Sequence, residues 1–198
     1  MATRSPQQDR SRRTVDRILA AADRLIAEQG SSATTTAIAA EAEVSVGALY
    51  RFFPDKHAVG QALADRYLDV AAVRFAEIID RVDSLDAFPP ALRSIIEVAA
   101  ELALEHPGYY RLTNERRPDE QGSVGHGVRV AMIDTFDSLL VTLGATHEPG
   151  VRRAAVTMTI ETVRHTLAIA PTCEPERTIV ISELAEMVVI YAERRLAR

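Results

Sequence analysis

The chain has 198 residues, is 47% hydrophobic and 26% charged, and carries a net charge of −5, an ordinary globular composition with enough apolar residues for a sizeable core. No apolar run reaches the length of a membrane span, and the N-terminal MATRSPQQDRSRRT has arginines with no apolar segment behind them, which argues against a secretory signal. A single cysteine, Cys173, excludes an internal disulfide framework, so the expected compartment is a reducing cytoplasm.

The first element is a helix. Val15, Ile18, Leu19, Ala22, Leu25 and Ile26 fall on one helical face, and Gly30 sits where a left-handed cap is wanted. Ahead of it, Arg10, Arg12 and Arg13 have two readings, an arm attracted to polyanions or a solvated tail. The acidic net charge disfavours nucleic acid when taken alone, but the charge is uneven. Residues 1–56 hold eight Lys/Arg against seven Asp/Glu, while residues 57–198 hold fifteen against twenty-one. A mildly basic segment leads an acidic body, and the expected domains are 1–56 and 57–198.

Next comes TTTAIAAEAEVSVGALYRFFPDK, residues 34–56. Thr34 suits the N-cap of a short helix over about 35–42, with Ile38, Ala39 and Ala42 facing inward. After a break at Glu43-Val44-Ser45, Ser45 suits the cap of a second helix, Val46 to Phe52, and Gly47 permits another backbone to approach closely. Two short helices joined by such a turn make a helix-turn-helix, whose second helix enters the major groove of double-stranded DNA. Val46 and Ala48 are expected to face the groove. Arg51 fits a guanine edge or a phosphate, and Thr34 and Thr35 can donate to phosphate. Asp55 is a good cap for the following helix and places Lys56, the only lysine in the chain, in its first turn, where a bound phosphate would offset the unfavourable dipole.

These residues resemble the tetracycline-repressor (TetR) family of bacterial transcriptional regulators, whose pattern is roughly T-[TSV]-x-x-I-A-x-x-A-G-V-S-x-G-[TA]-L-Y-x-[YH]-F-x-[SND]-K. The resemblance covers about residues 12–60. It implies an N-terminal DNA-binding domain ahead of a divergent helical domain for ligand binding and dimerisation. It also implies that the Tyr50 hydroxyl reaches the DNA backbone, although Tyr50 read alone is a half-buried core aromatic. With Ser45, Gly47 and Lys56 these complete the expected DNA-binding set. The chain departs from the pattern at Glu43, which replaces the turn glycine and must tolerate a positive φ or reshape the turn, and at His57 and Val59.

Beyond residue 56, helices are expected at about 55–80, 88–105, 126–143, 150–169 and 176–196, with residues 113–127 a polar surface loop and GSVGHG a hinge before a helix. No period-2 strand pattern or internal repeat occurs, so the fold class is all-α. Tyr67, Phe75, Leu102, Tyr109, Tyr110, Met132, Phe136 and His165 are large groups on converging helices. They line a small-molecule pocket or fill a core. The last two helices are apolar on more than one face, which calls for burial on more than one side. Val163, Leu167, Leu184 and Val188 are the expected seam of a two-fold homodimer. The five histidines show no zinc spacing, and no nucleophile motif, metal site or cofactor site is expected; Cys173 is a plain loop thiol or an oxidation sensor. The expectation is a homodimeric transcriptional regulator released from a palindromic operator by a small-molecule effector. The alternative is a helix-turn-helix regulator with a solid core, controlled by a protein partner or by abundance; a helical enzyme finds no catalytic constellation in the sequence.

Overall fold

The structure, a computed structural model, describes residues 6–114, 124–170 and 174–195. Cys173 lies outside them, as does most of the expected 113–127 loop. Among the described residues the elements are α1 (Pro6–Gln29), a 3₁₀ turn (Gly30–Ser32), α2 (Thr35–Glu41), α3 (Val46–Phe52), α4 (Lys56–Ile79), α5 (Phe88–Glu105), α6 (Pro107–Asn114), α7 (Val124–Thr142), α8 (Pro149–Ile169) and α9 (Glu176–Arg195), with no strand. Two expectations change. Arg10, Arg12 and Arg13 lie within α1 and are exposed there, so the arm or solvated tail is the start of a helix. The GSVGHG hinge is already helical from Val124, as part of α7.

The chain divides into two compact units. The first comprises residues 1–67 and 106–115, so that α6 returns to it after α5. Here α1 packs on α2 and α6, and α2 on α3. Ile18, Ala22 and Ile26 of α1 meet the demand of their periodicity: they are buried in a core that includes Ile38, Ala39 and Leu49. Gly30, at φ 59° and buried, ends α1 in the left-handed conformation a glycine adopts without penalty.

Helix α6 was not expected from the sequence. It is fixed to α1 by reciprocal capping. The Tyr109 amide of its first turn donates to Asp23 Oδ1 at 3.1 Å, while Arg111 Nη1 donates to the Ala27 and Glu28 carbonyls at 2.8 and 3.1 Å, near the C-terminus of α1. Both arrangements complement the helix dipoles. The backbones approach so closely that a Cβ on Gly108 would fall 2.1 Å from the Asp23 carbonyl oxygen. Beside this contact Tyr67 stacks on Tyr109, with centroids 3.6 Å apart, and shares a 2.8 Å hydroxyl hydrogen bond with Tyr110.

The second unit comprises residues 68–105 and 116–198. In it α5 packs on α8 and α9, and α8 packs on α7 and α9. Phe88, Leu92, Ile96, Leu140, Val156 and Ile160 are buried between them. The Glu148 carboxylate caps α8 by accepting the Val151 amide at 2.9 Å. The buried Arg152 ties α8 to α7 through Asp137 at 2.7 Å, and the buried Arg177 donates from α9 to the Ala100 carbonyl of α5.

The expected dimer seam requires correction. Leu167, Leu184 and Val188 are buried within their own chain and Val163 is half-buried, so the stripe chosen for a partner is consumed by the fold of the unit itself. The apolar groups left exposed on this hairpin are Val151, Met158 and Ile169 of α8 and Ile179, Met187, Ile190 and Tyr191 of α9. The eight expected pocket residues also divide. Tyr67, Tyr109 and Tyr110 belong to the first unit, where they pack on one another, while Phe75, Leu102, Met132, Phe136 and His165 belong to the second. Of these five, Leu102 is fully buried, Phe136 lies edge-on to Phe88 at 6.4 Å, and His165 is exposed on α8.

Candidate nucleic-acid interface

Short-range chemistry builds α2 and α3. Thr34 and Ser45 sit in extended conformations at the two N-caps, and their hydroxyls accept the Ala37 and Ala48 amides, each at 3.1 Å. Between the helices the Val44 amide donates to the Ala39 carbonyl and the Glu43 amide to the Ala40 carbonyl. This is the Schellman pattern, with Glu43 at φ 52° where glycine is the usual residue. Of the two alternatives at Glu43, a positive φ or a reshaped turn, the turn adopts the positive φ. Leu49, fully buried, anchors α3 from below, and Phe53 is buried just beyond its end.

The opposite face of α3 is open. Val46 and Tyr50 are exposed, as are Ser45 and Arg51, and Ala48 is half-buried. A Cβ on Gly47 would meet nothing within 4 Å, so nothing in the chain itself asks for glycine there. The Tyr50 hydroxyl shares a 3.0 Å hydrogen bond with the Thr35 hydroxyl at the start of α2, which pairs two polar groups from the two helices on one exposed surface. Tyr50 is therefore exposed rather than a core aromatic. The Arg51 guanidinium lies over the Phe52 ring at 4.9 Å.

Lys56 follows the Asp55 cap, whose Oδ1 accepts the Ala58 amide at 2.7 Å, and its ammonium donates to the Ser31 carbonyl of the 3₁₀ turn. The sequence-predicted residues Thr34, Thr35, Ser45, Val46, Gly47, Ala48, Tyr50, Arg51 and Lys56 thus lie on α2, α3, their caps and the start of α4. Among the described residues no group of three or more His, Cys, Asp or Glu side chains could hold a metal ion, and no helix is long and apolar enough to cross a membrane.

A family model described as bacterial regulatory proteins, tetR family, matches residues 18–63, the segment that carries this arrangement. A TetR-family transcriptional regulator from Streptomyces coelicolor is 25% identical, with 92% of this chain and 99% of that one covered at a TM-score of 0.67. Residues 18–63 are thus similar to the tetR family of bacterial regulatory proteins.

Two further structures share the fold of this chain. A second TetR-family regulator from Streptomyces coelicolor is 20% identical over 100% of this chain and 98% of that one, at a TM-score of 0.71. The transcriptional regulator FadR from Bacillus subtilis, in complex with stearoyl-CoA, is 16% identical over 88% and 97%, at a TM-score of 0.70. No curated protein matches the chain. The chain thus has a tetR-like fold with an N-terminal helix-turn-helix, and the matched family and these neighbours are transcriptional regulators.

One residue of this region escaped the sequence reading. Arg17 of α1 donates through Nε to the Ala42 carbonyl at 3.0 Å and through Nη2 to the carbonyls of Ala42 and Glu43, the latter at 2.7 Å. Its target is a pair of carbonyls exposed by the backbone turn, which no side-chain pattern announces.

Proposed function

We propose that the chain is a homodimeric, ligand-responsive repressor that binds a palindromic operator, with α3 as the reading helix. The observation that carries the reading is the exposed Thr35–Tyr50 hydroxyl pair beside the open Gly47 on α3. Polar groups poised in this way suit phosphate positioning. Val46, Ala48 and Arg51 supply groups for base edges, and Lys56 supplies a cation for a further phosphate. A palindrome read by two such helices needs them about 34–36 Å apart, a separation that only a fixed dimer holds. The exposed apolar face of α8 and α9 supports a two-fold contact through Met158, Met187 and Ile190, in place of the seam expected from the sequence.

Inducer binding belongs to the second unit in this reading, and the stearoyl-CoA complex of the FadR neighbour supports a small-molecule site in a fold of this kind. The chain passes between the units within α4, between α5 and α6, and again after α6. An effector lowers operator affinity only if it binds the DNA-incompetent state more tightly.

The test is selection of duplexes from a random-sequence pool by the purified protein, with the stoichiometry of the selected complex measured by sedimentation. Enrichment of a palindrome bound by two chains supports the reading; enrichment of no sequence contradicts it. A small-molecule thermal-shift screen then tests the ligand arm, since a ligand of the native state raises the melting temperature by mass action.

A further inference from the structure

We infer that Arg17 is a positioning residue for DNA recognition: it holds the helix-turn-helix turn in a conformation that Glu43, unlike glycine, does not favour. This rests on the DNA-binding reading above. Glu43 occupies the left-handed region at φ 52°, and the Schellman hydrogen bonds satisfy the carbonyls of Ala39 and Ala40 but not those of Ala42 and Glu43. These two carbonyls, at the negative end of α2, both accept from the one guanidinium fork of Arg17. Two residues later the Ser45 cap starts α3, so any change in the Glu43 dihedrals swings the reading helix on its short tether. Arg17 Nη2 also lies 3.8 Å from the Glu43 carboxylate, which offsets a negative charge beside the surface that would face phosphates. The guanidinium and the glutamate then form a compensating pair. Arginine offsets from outside the turn a left-handed penalty that glycine would not have incurred.

Substitutions at the two positions in combination test this. The probes are the palindrome selected by the wild type and a random duplex of equal length, with amide hydrogen exchange of the free protein as a readout independent of DNA. Arg17→Met, which keeps the stem and removes the donors, is expected to weaken palindrome binding roughly five- to ten-fold, the scale of one or two part-exposed hydrogen bonds. The salt slope should stay unchanged, and exchange of the Glu43 and Val44 amides should quicken. Arg17→Lys should fall between, because an ammonium lacks the fork. Glu43→Gly in the Arg17→Met background should restore both affinity and protection. A salt slope lowered by roughly one, with no rescue by glycine, would make Arg17 a phosphate contact and overturn the inference. Unchanged affinity and unchanged exchange in Arg17→Met would overturn it as well. If the wild type binds no duplex, the DNA-binding reading fails, and the exchange readout still decides whether Arg17 restrains the turn.

Discussion

The two units expose different chemistry. Of the large hydrophobic side chains exposed among the described residues, the first unit contributes only Val46 and Tyr50, both on α3. The second contributes eleven, seven of them on α8 and α9. In the first unit the exposed apolar groups stand among capped, hydrogen-bonded polar ones, as suits a polyanion that presents phosphates and methyl groups at fixed spacing. In the second most of them lie on the α8–α9 hairpin, as suits a second apolar surface. A ligand of constant geometry leaves residue types at fixed spacing in a sequence; a surface that meets its own copy leaves only hydrophobicity.

The largest effect expected from this contrast comes from two neighbouring residues. Val188→Glu buries a carboxylate inside the unit and should cost several kcal/mol, with loss of the cooperative thermal transition. Met187→Glu places the same charge on the exposed face of α9 and should leave helical circular dichroism intact while shifting sedimentation to a monomer. If Met187→Glu stays dimeric, the dimer contact lies elsewhere.

Gly108→Ala probes the first unit. Its methyl would meet the Asp23 backbone, so α6 has to move from α1, at a cost of about 1–3 kcal/mol in urea unfolding. A neutral result would show that this contact yields freely.

What the sequence made legible follows the same division. The caps at Thr34, Ser45 and Asp55 and the span of α3 were readable because each depends on neighbours three or four residues away. The α6 helix was missed although Pro107 at its first position is a start signal, because its stability depends on Tyr109 meeting Asp23 and Arg111 meeting the Ala27 and Glu28 carbonyls across a wide sequence gap. On α8 and α9 the periodicity identified apolar faces but not which one the chain buries for itself. That choice rests on where α5 and α7 pack. The pocket set was divided by the same return of α6 to the first unit. Arg17 gave no signal, because its partners are main-chain carbonyls.

A smaller effect concerns pH. Burial raises the Asp23 carboxyl above the usual carboxylate range, against the opposing pull of the Tyr109 and Gly108 amides and of His106. The folded state then holds the proton more tightly than the unfolded one. Asp23 therefore makes stability fall as pH rises from the unfolded value through the folded value, and above that its penalty is constant. Asp23→Asn, which keeps a carbonyl acceptor for Tyr109, should abolish this part of the pH dependence in unfolding titrations; an unchanged profile would mean the group is solvated in solution.

The smallest effect on stability should come from Gly47→Ala. The added methyl meets nothing within 4 Å, so stability should hold or rise by up to about 1 kcal/mol from helix propensity. Palindrome affinity should nevertheless fall, since the open space would be occupied by DNA. Full affinity in this variant would show that nothing approaches α3 there.

The most direct test of the account measures the affinity of the selected palindrome as a function of salt for wild type, Arg51→Ala and Lys56→Ala. The account predicts that Lys56→Ala weakens binding to all sequences and lowers the salt slope by roughly one. Arg51→Ala should cost about 1–3 kcal/mol on the palindrome and, if it reads a base edge, relax the preference at one position. Wild-type affinity and slope in both variants would contradict the assignment of α3 and the start of α4 to the DNA.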